Sequence, residues 1–259
     1  MIDQLTISDS RPGLGAWAQL ILHEARMVIR DTAGLVIPFG LPVLILVMSG
    51  LGAESQGIPE LGGMSEAMAY IIPMVSVMII AIVGVINMPS FLASYRRYKM
   101  LRRLAVTPAS PAMVLVAQVV VGLAQSVIGI AIAIIVGAVV FDVAAPLNLP
   151  GALVAVALTI TAMFAIGMLI AAISPTTNAA IAIGMVTFFA LMALGGGFGP
   201  RENLPDALAS VGEYLPFGAG LEALHAAWTG ETVQMAHVGV LAAVTVVFGA
   251  ASAKLFRWE

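Results

Sequence analysis

Five cations within eight residues form the densest chemical feature of this chain: Arg96, Arg97, Lys99, Arg102 and Arg103, in the stretch SYRRYKMLRRLAVTPASP (94–111). Such a cluster can pair with acidic groups on a partner protein or with anionic lipid headgroups. It can also fix neighbouring apolar segments on one side of a membrane. The polar residues inside the apolar stretches are uncharged: Asn87, Gln118, Gln125, Thr159, Thr161 and Asn178. Gln118 and Gln125 are seven residues apart and so share a helical face. Groups of this type bond between helices or line a route for a substrate.

Reactive constellations are missing from the sequence. His23, His225 and His237 fall on separate segments, and no HExxH pair occurs. There is no GxSxG elbow. Neither lysine, Lys99 or Lys254, closes a phosphate-binding glycine loop. GGGFG (195–199) has no strand or ribose-binding acid around it, so it is not a dinucleotide fingerprint. Cysteine is absent, which excludes thiolate metal sites, disulfides and Cys nucleophiles. The chain reads as a non-catalyst without a cofactor or metal of its own. If it does energised work, a partner supplies the energy.

The elements that position these residues are membrane spans. The chain is 61% hydrophobic and 10% charged, with a mean hydropathy of +1.05. Soluble domains carry about 25% charged residues, so this surface does not suit water. A spanning helix needs roughly 20 mostly apolar residues. Six segments qualify: 33–51, 68–92, 112–141, 151–173, 178–198 and 235–253. Acids at Asp3, Asp9, Glu24 and Asp31 interrupt the first thirty residues, which do not read as a cleavable signal. Pro38, Pro42, Pro73 and Pro89 in or beside the first two spans predict local kinks.

With six spans, both termini share one side. That side collects Arg11, Arg26, Arg30, the five-cation cluster, Lys254 and Arg257, all but one of the eleven Lys and Arg residues. The other side holds Arg201 and nine acids, among them Glu60, Glu66, Glu213 and Glu222. Positive loops stay in the cytoplasm, which predicts cytoplasmic N- and C-termini in a cell (inner or plasma) membrane. Residues 14–31 mix apolar and charged residues as an interfacial helix does. Residues 95–107 read as a short cationic helix stopped at Thr107–Pro108. Residues 199–231 contain two short amphipathic pieces, near 204–213 and 217–228, which suit an external interfacial or re-entrant pair. No soluble domain or internal repeat is evident.

This layout resembles the ABC-2 family, the permease subunits of ATP-driven (type V) ABC exporters. LRRLAVTPASP (101–111) is similar to the family's RL-x-x-TP signature after the second span, with Leu104, Thr107 and Pro108 in matching places. Residues 198–228 resemble its external proline-rich stretch, through Pro200, Leu204–Pro205 and Leu215–Pro216. The signature looks most like that of daunorubicin-resistance-type drug and lipid exporters. Many relatives carry an acid and a glycine where this chain has Arg97 and Lys99.

The resemblance implies one all-α transmembrane domain over 1–259, with residues 95–107 as a coupling helix docked on a cytoplasmic ABC ATPase. That role falls to Arg96, Arg97, Lys99, Arg102, Arg103, Leu104, Thr107 and Pro108. ATP and Mg would be bound by the partner ATPase. A second permease, an identical copy or a paralogue, would face the first among membrane lipids, and no nucleic acid is involved. Pro200, Leu204, Pro205, Leu215 and Pro216 would form an external gate. Asn87, Gln118, Gln125 and Asn178 would lie on the pathway or at an interface. The implied activity is export of an amphipathic drug, antibiotic or lipid-like molecule, as in multidrug or antibiotic resistance. The alternative is an energy-independent channel or a secondary transporter. The absence of a full charge deep in any span counts against ion-coupled transport.

Overall fold

The computed structural model describes residues 13–53, 57–97 and 111–255, and every regular element among them is a helix. Six helical stretches are long and apolar enough to cross a membrane: Thr32–Leu51, Pro59–Tyr95, Met113–Phe141, Leu149–Ile173, Thr177–Leu194 and Met235–Leu255. The protein is an all-α, multi-pass membrane protein.

Helix α1 (Leu14–Arg30) turns directly into α2 (Thr32–Leu51) at one residue, Asp31. The Asp31 N–H donates to the Met27 and Val28 carbonyls and closes α1. Its carboxylate accepts from Ala33 N at 3.1 Å and Gly34 N at 3.2 Å and opens α2. These bonds satisfy backbone groups that both helix ends would otherwise leave orphaned. The buried residues of α2 are Gly34, Pro38, Pro42, Leu46 and Gly50, a single stripe at every fourth position. Proline packs tightly there, at the cost of lost helix donors.

The second span is the centre of the bundle. It runs from α3 (Glu66–Ala81) through a π-helical turn (Ile82–Asn87) into α4 (Met88–Arg97). Ser65 caps its start by accepting from Met68 N. From Ile71 to Ala81 every residue is buried. Proline 89 has no N–H for the Val85 carbonyl, and the backbone widens just before it, with Met88 N–H bonded to the Val83 carbonyl. The prolines of the second span were expected to kink it; near Pro89 the structure shows this widened turn. Expected to end at 92, the helix continues unbroken to Arg97, so the beginning of the cationic stretch belongs to the same rod.

Around this rod pack α2, α5 (Pro111–Phe141), α6 (Leu149–Ile173), α7 (Thr177–Leu194) and α9 (Pro216–Thr229). Two close backbone approaches lock it. Gly167 on α6 leaves room for the Gly84 carbonyl, and Gly184 on α7 for the Val85 carbonyl; a Cβ at either glycine would collide with that oxygen. The two carbonyls lie in the π turn, so its irregular backbone is covered by protein, as the membrane interior requires. Thr176 caps α7 by accepting from Ala179 N at 3.1 Å.

Helix α7 ends at Leu194 rather than the expected 198. Gly196 and Gly199 have φ of 94° and 133°, and the chain turns through Gly195–Gly199. Helix α8 (Asp206–Glu213) follows, then α9. The two short pieces are unlike each other. Helix α8 keeps an exposed face, whereas α9 is buried from Pro216 to Leu221 and again at Ala223, Leu224, Ala227 and Trp228. It folds back among α3, α6 and α10 (Met235–Leu255). Its small residues permit this: Gly220 sits against Thr159 with no space for a Cβ.

Candidate functional site

The end of the bundle where α1 meets α4 and α5 holds two polar nodes, each joining three elements. In the first, Glu24 of α1 is 1% exposed. Its Oε1 accepts from the Tyr95 hydroxyl of α4 at 2.5 Å, and its Oε2 accepts from Gln118 Nε2 of α5. The Tyr95 oxygen also lies 3.3 Å from Met27 Sδ. Burial pushes the Glu24 carboxyl above the ordinary carboxylate range; the bonds from Tyr95 and Gln118 and the nearby His23 offset part of that shift.

The second node lies farther into the bundle. Pro38 stands where the N–H for the Gly34 carbonyl should be. That oxygen instead accepts from Asn87 Nδ2 at 2.8 Å and Gln125 Nε2 at 2.6 Å. The nodes repeat one pattern: an acceptor from the N-terminal elements, a donor from the second span and a donor from the third. Asn87, Gln118 and Gln125 are therefore consumed in bonds between helices. Asn178 joins neither node; it is exposed in the first turn of α7. A weaker tie at the same end is Ser94 Oγ to Thr177 Oγ1 at 3.2 Å.

Tyr95 and Gln118 flank the cationic stretch. Arg96 and Arg97 are the last residues of α4. Lys99, Arg102, Arg103, Leu104, Thr107 and Pro108, and with them most of the expected 95–107 helix, lie outside the described residues.

At the opposite end a cleft of about 1490 Å³ opens between α2, α3, α8, α9 and the turn that follows α7. Its apolar wall includes Ile71, Met74, Met192 and Phe198, and its acids are Glu66, Asp206, Glu213 and Glu222. Arg201 Nη2 donates to Glu222 Oε1 at 2.7 Å, while Arg201 Nη1 is buried without a partner. The Tyr70 hydroxyl ties the turn to α3 by donating to Gly196 O at 2.8 Å and Gly199 O at 3.3 Å. His237 Nε2 lies 3.1 Å from Glu213 Oε1 and holds α8 to α10. Of the five residues assigned to a gate, Pro200 and Leu204 line the cleft. Pro205, Leu215 and Pro216 instead set helix starts, the first two before α8 and α9 and the last within the first turn of α9. No group of three or more His, Asp or Glu residues suited to a metal occurs among the described residues.

Glu24 is the residue the sequence reading left unassigned. With His23, Arg26 and Arg30 around it, it reads as one of the charged residues of an interfacial helix. Its position is the signal: it lies four residues from both Leu20 and Val28, on the stripe that packs inward.

The arrangement among the described residues is a helical bundle in which a largely buried helical stretch runs from an acidic cleft at one end to Arg96 and Arg97 at the other, with no catalytic constellation. No curated protein matches the chain. The family model described as "ABC-2 type transporter" matches residues 16–228, from α1 through the end of α9. The chain belongs to the ABC-2 type transporter family, as a membrane transport component.

Proposed function

We propose that this protein is the permease subunit of an ATP-driven exporter that moves an amphipathic drug, antibiotic or lipid-like molecule out of the cytoplasm. The family membership supports a transport role and an ATPase partner. The observation that carries the mechanism is the continuous second span. From Glu66 to Arg97 it is one helical rod, about 48 Å long at the usual helical rise. It reaches from the cleft to the cationic segment. A push on residues 95–107 therefore enters a continuous, largely buried helical element whose π turn is packed against α6 and α7, and passes along it to the other end of the bundle.

In this reading the end with both termini faces the cytoplasm. Arg26, Arg30, Arg96, Arg97 and Lys254 are at that end, against Arg201 at the other. Arg96, Arg97, Lys99, Arg102 and Arg103 meet acidic groups of a cytoplasmic ABC ATPase, which binds ATP and Mg. The Leu104, Thr107 and Pro108 positions shape and stop that docking segment. Two permeases, identical or paralogous, face each other across α2 and α7, which keep exposed apolar faces, and substrate moves between them. Pro200 and Leu204 border its outward exit. The cleft offers an amphipathic cargo an apolar wall beside acidic groups.

The test is transport in vesicles holding the permease and its ATPase. ATP-dependent movement of an amphipathic probe, abolished by vanadate, supports the reading. Equal movement without ATP or ATPase would replace it with a channel or secondary transporter.

A further inference from the structure

The Glu24 carboxylate receives both flanks of the cationic segment. Tyr95 precedes residues 98–110 and Gln118 follows them, and each donates to a different oxygen of the same carboxylate. Glu24 belongs to a third element, α1, whose charged neighbours His23, Arg26 and Arg30 are all outside the core. Apolar packing alone would let α1 slide along the bundle. A buried carboxyl that accepts two hydrogen bonds fixes its register, because separation would leave three polar groups unpaired in a low-dielectric site. One layer deeper, Gly34 repeats the link with Asn87 and Gln125. The α1–α2 corner is thus tied at two heights to the same pair of helices.

We propose that Glu24 is a positioning residue of the transport cycle: through Tyr95 and Gln118 it holds α1 and both stems of residues 98–110 as one body. Displacement of the segment by a nucleotide-driven partner is then delivered to the first and second spans together. This role rests on the reading of the chain as an ATP-driven permease. Glu24 touches neither nucleotide nor substrate in this account. It sets how the segment's movement is shared between two spans.

The experiment uses the full chain with its ATPase in vesicles, as wild type and as Glu24→Ala, Glu24→Gln and Tyr95→Phe. The chain has no cysteine, so paired labels at Leu22→Cys on α1 and Val120→Cys on α5, both exposed, report one distance. Spin-label distance distributions are recorded without nucleotide and with ADP and vanadate, alongside transport per ATP hydrolysed. The expected result is a single narrow distribution in both states for wild type and Glu24→Gln, whose amide can still accept from Tyr95 and donate to a flipped Gln118. Glu24→Ala should broaden it and lower transport per ATP by about tenfold, with Tyr95→Phe between the two. An unchanged distribution and transport ratio in Glu24→Ala overturns the proposal. Wild type with a narrow distribution but no ATP-coupled transport instead overturns the permease reading, and with it the role given to Glu24. If Glu24→Ala does not elute as a folded protein, Tyr95→Phe decides by the same two readouts.

Discussion

Pro38 follows Gly34 by one helical step of four residues, and the carbonyl it deprives of a donor is the one that Asn87 and Gln125 share. The proline and the two amides are therefore one device. A kink-forming residue creates an acceptor, and two neighbouring spans fill it. This converts a weakness in α2 into a three-helix junction. It predicts a pattern of non-additive stabilities. Asn87→Leu or Gln125→Leu alone should cost about 0.6–2 kcal/mol, because the other amide still satisfies Gly34. The double variant orphans a buried carbonyl and should cost more than the sum. Adding Pro38→Ala restores a helical N–H and should recover part of the loss. Unfolding midpoints in detergent check the series; strict additivity would contradict the shared-acceptor geometry.

The glycine contacts of the π turn make a second prediction. Gly167→Ala pushes a methyl into the Gly84 carbonyl, and overpacking of this kind costs about 1–3 kcal/mol. Gly239 and Gly249 on α10 have open space around the same position. Alanine there should be neutral or stabilising by up to about 1 kcal/mol, the usual helix preference. Thermal midpoints of the three single variants distinguish the sites.

Glu24 has a pH signature. Burial raises its carboxyl pKa in the folded protein, so the folded state holds the proton more tightly than the unfolded chain. Stability from this group is present at low pH and is lost as pH rises from the ordinary value of 4.5 through the raised one. Glu24→Gln does not titrate there. The midpoint of Glu24→Gln relative to wild type should therefore climb between pH 4.5 and a pH above the raised value. His23, Tyr95 and Gln118 are the groups that temper the shift. A relative midpoint that falls with pH would show that the charged form is favoured at this site.

Charge reversal tests the cationic segment itself. Arg102→Glu with Arg103→Glu should leave membrane insertion intact, since Arg26, Arg30, Arg96, Arg97 and Lys254 still mark that end of the bundle. Transport should fall by about tenfold or more if the segment meets acidic groups on the ATPase. Measuring membrane-inserted protein and transport in the same vesicles separates the two roles. Normal transport by the reversed protein would reduce the cluster to a topology anchor.

The spans were legible because twenty apolar residues leave few alternatives in water, whereas the caps at Asp31, Ser65 and Thr176 that set the helix starts emerged from the structure. Other features depend on contacts that hydropathy does not encode. The end of α7 at Leu194 is set by positive-φ glycines within an apolar run. In the sequence, helix α9 reads as either interfacial or re-entrant; its glycines and alanines, packed against neighbouring helices, let it enter the bundle. The π turn leaves no period in the sequence. At the polar nodes, Asn87, Gln118 and Gln125 could be picked out by type, and two of them by spacing. Their acceptors could not, because one is a backbone oxygen exposed by a proline and the other is a glutamate that its neighbours disguise.

The most direct measurement is purification of the tagged chain in mild detergent, with copurifying proteins identified and their ATPase activity assayed. The account predicts an ABC ATPase in the preparation with vanadate-sensitive turnover, and a stoichiometry of two permeases to two ATPases. A chain that emerges alone and transports its substrate in ATP-free vesicles would contradict it.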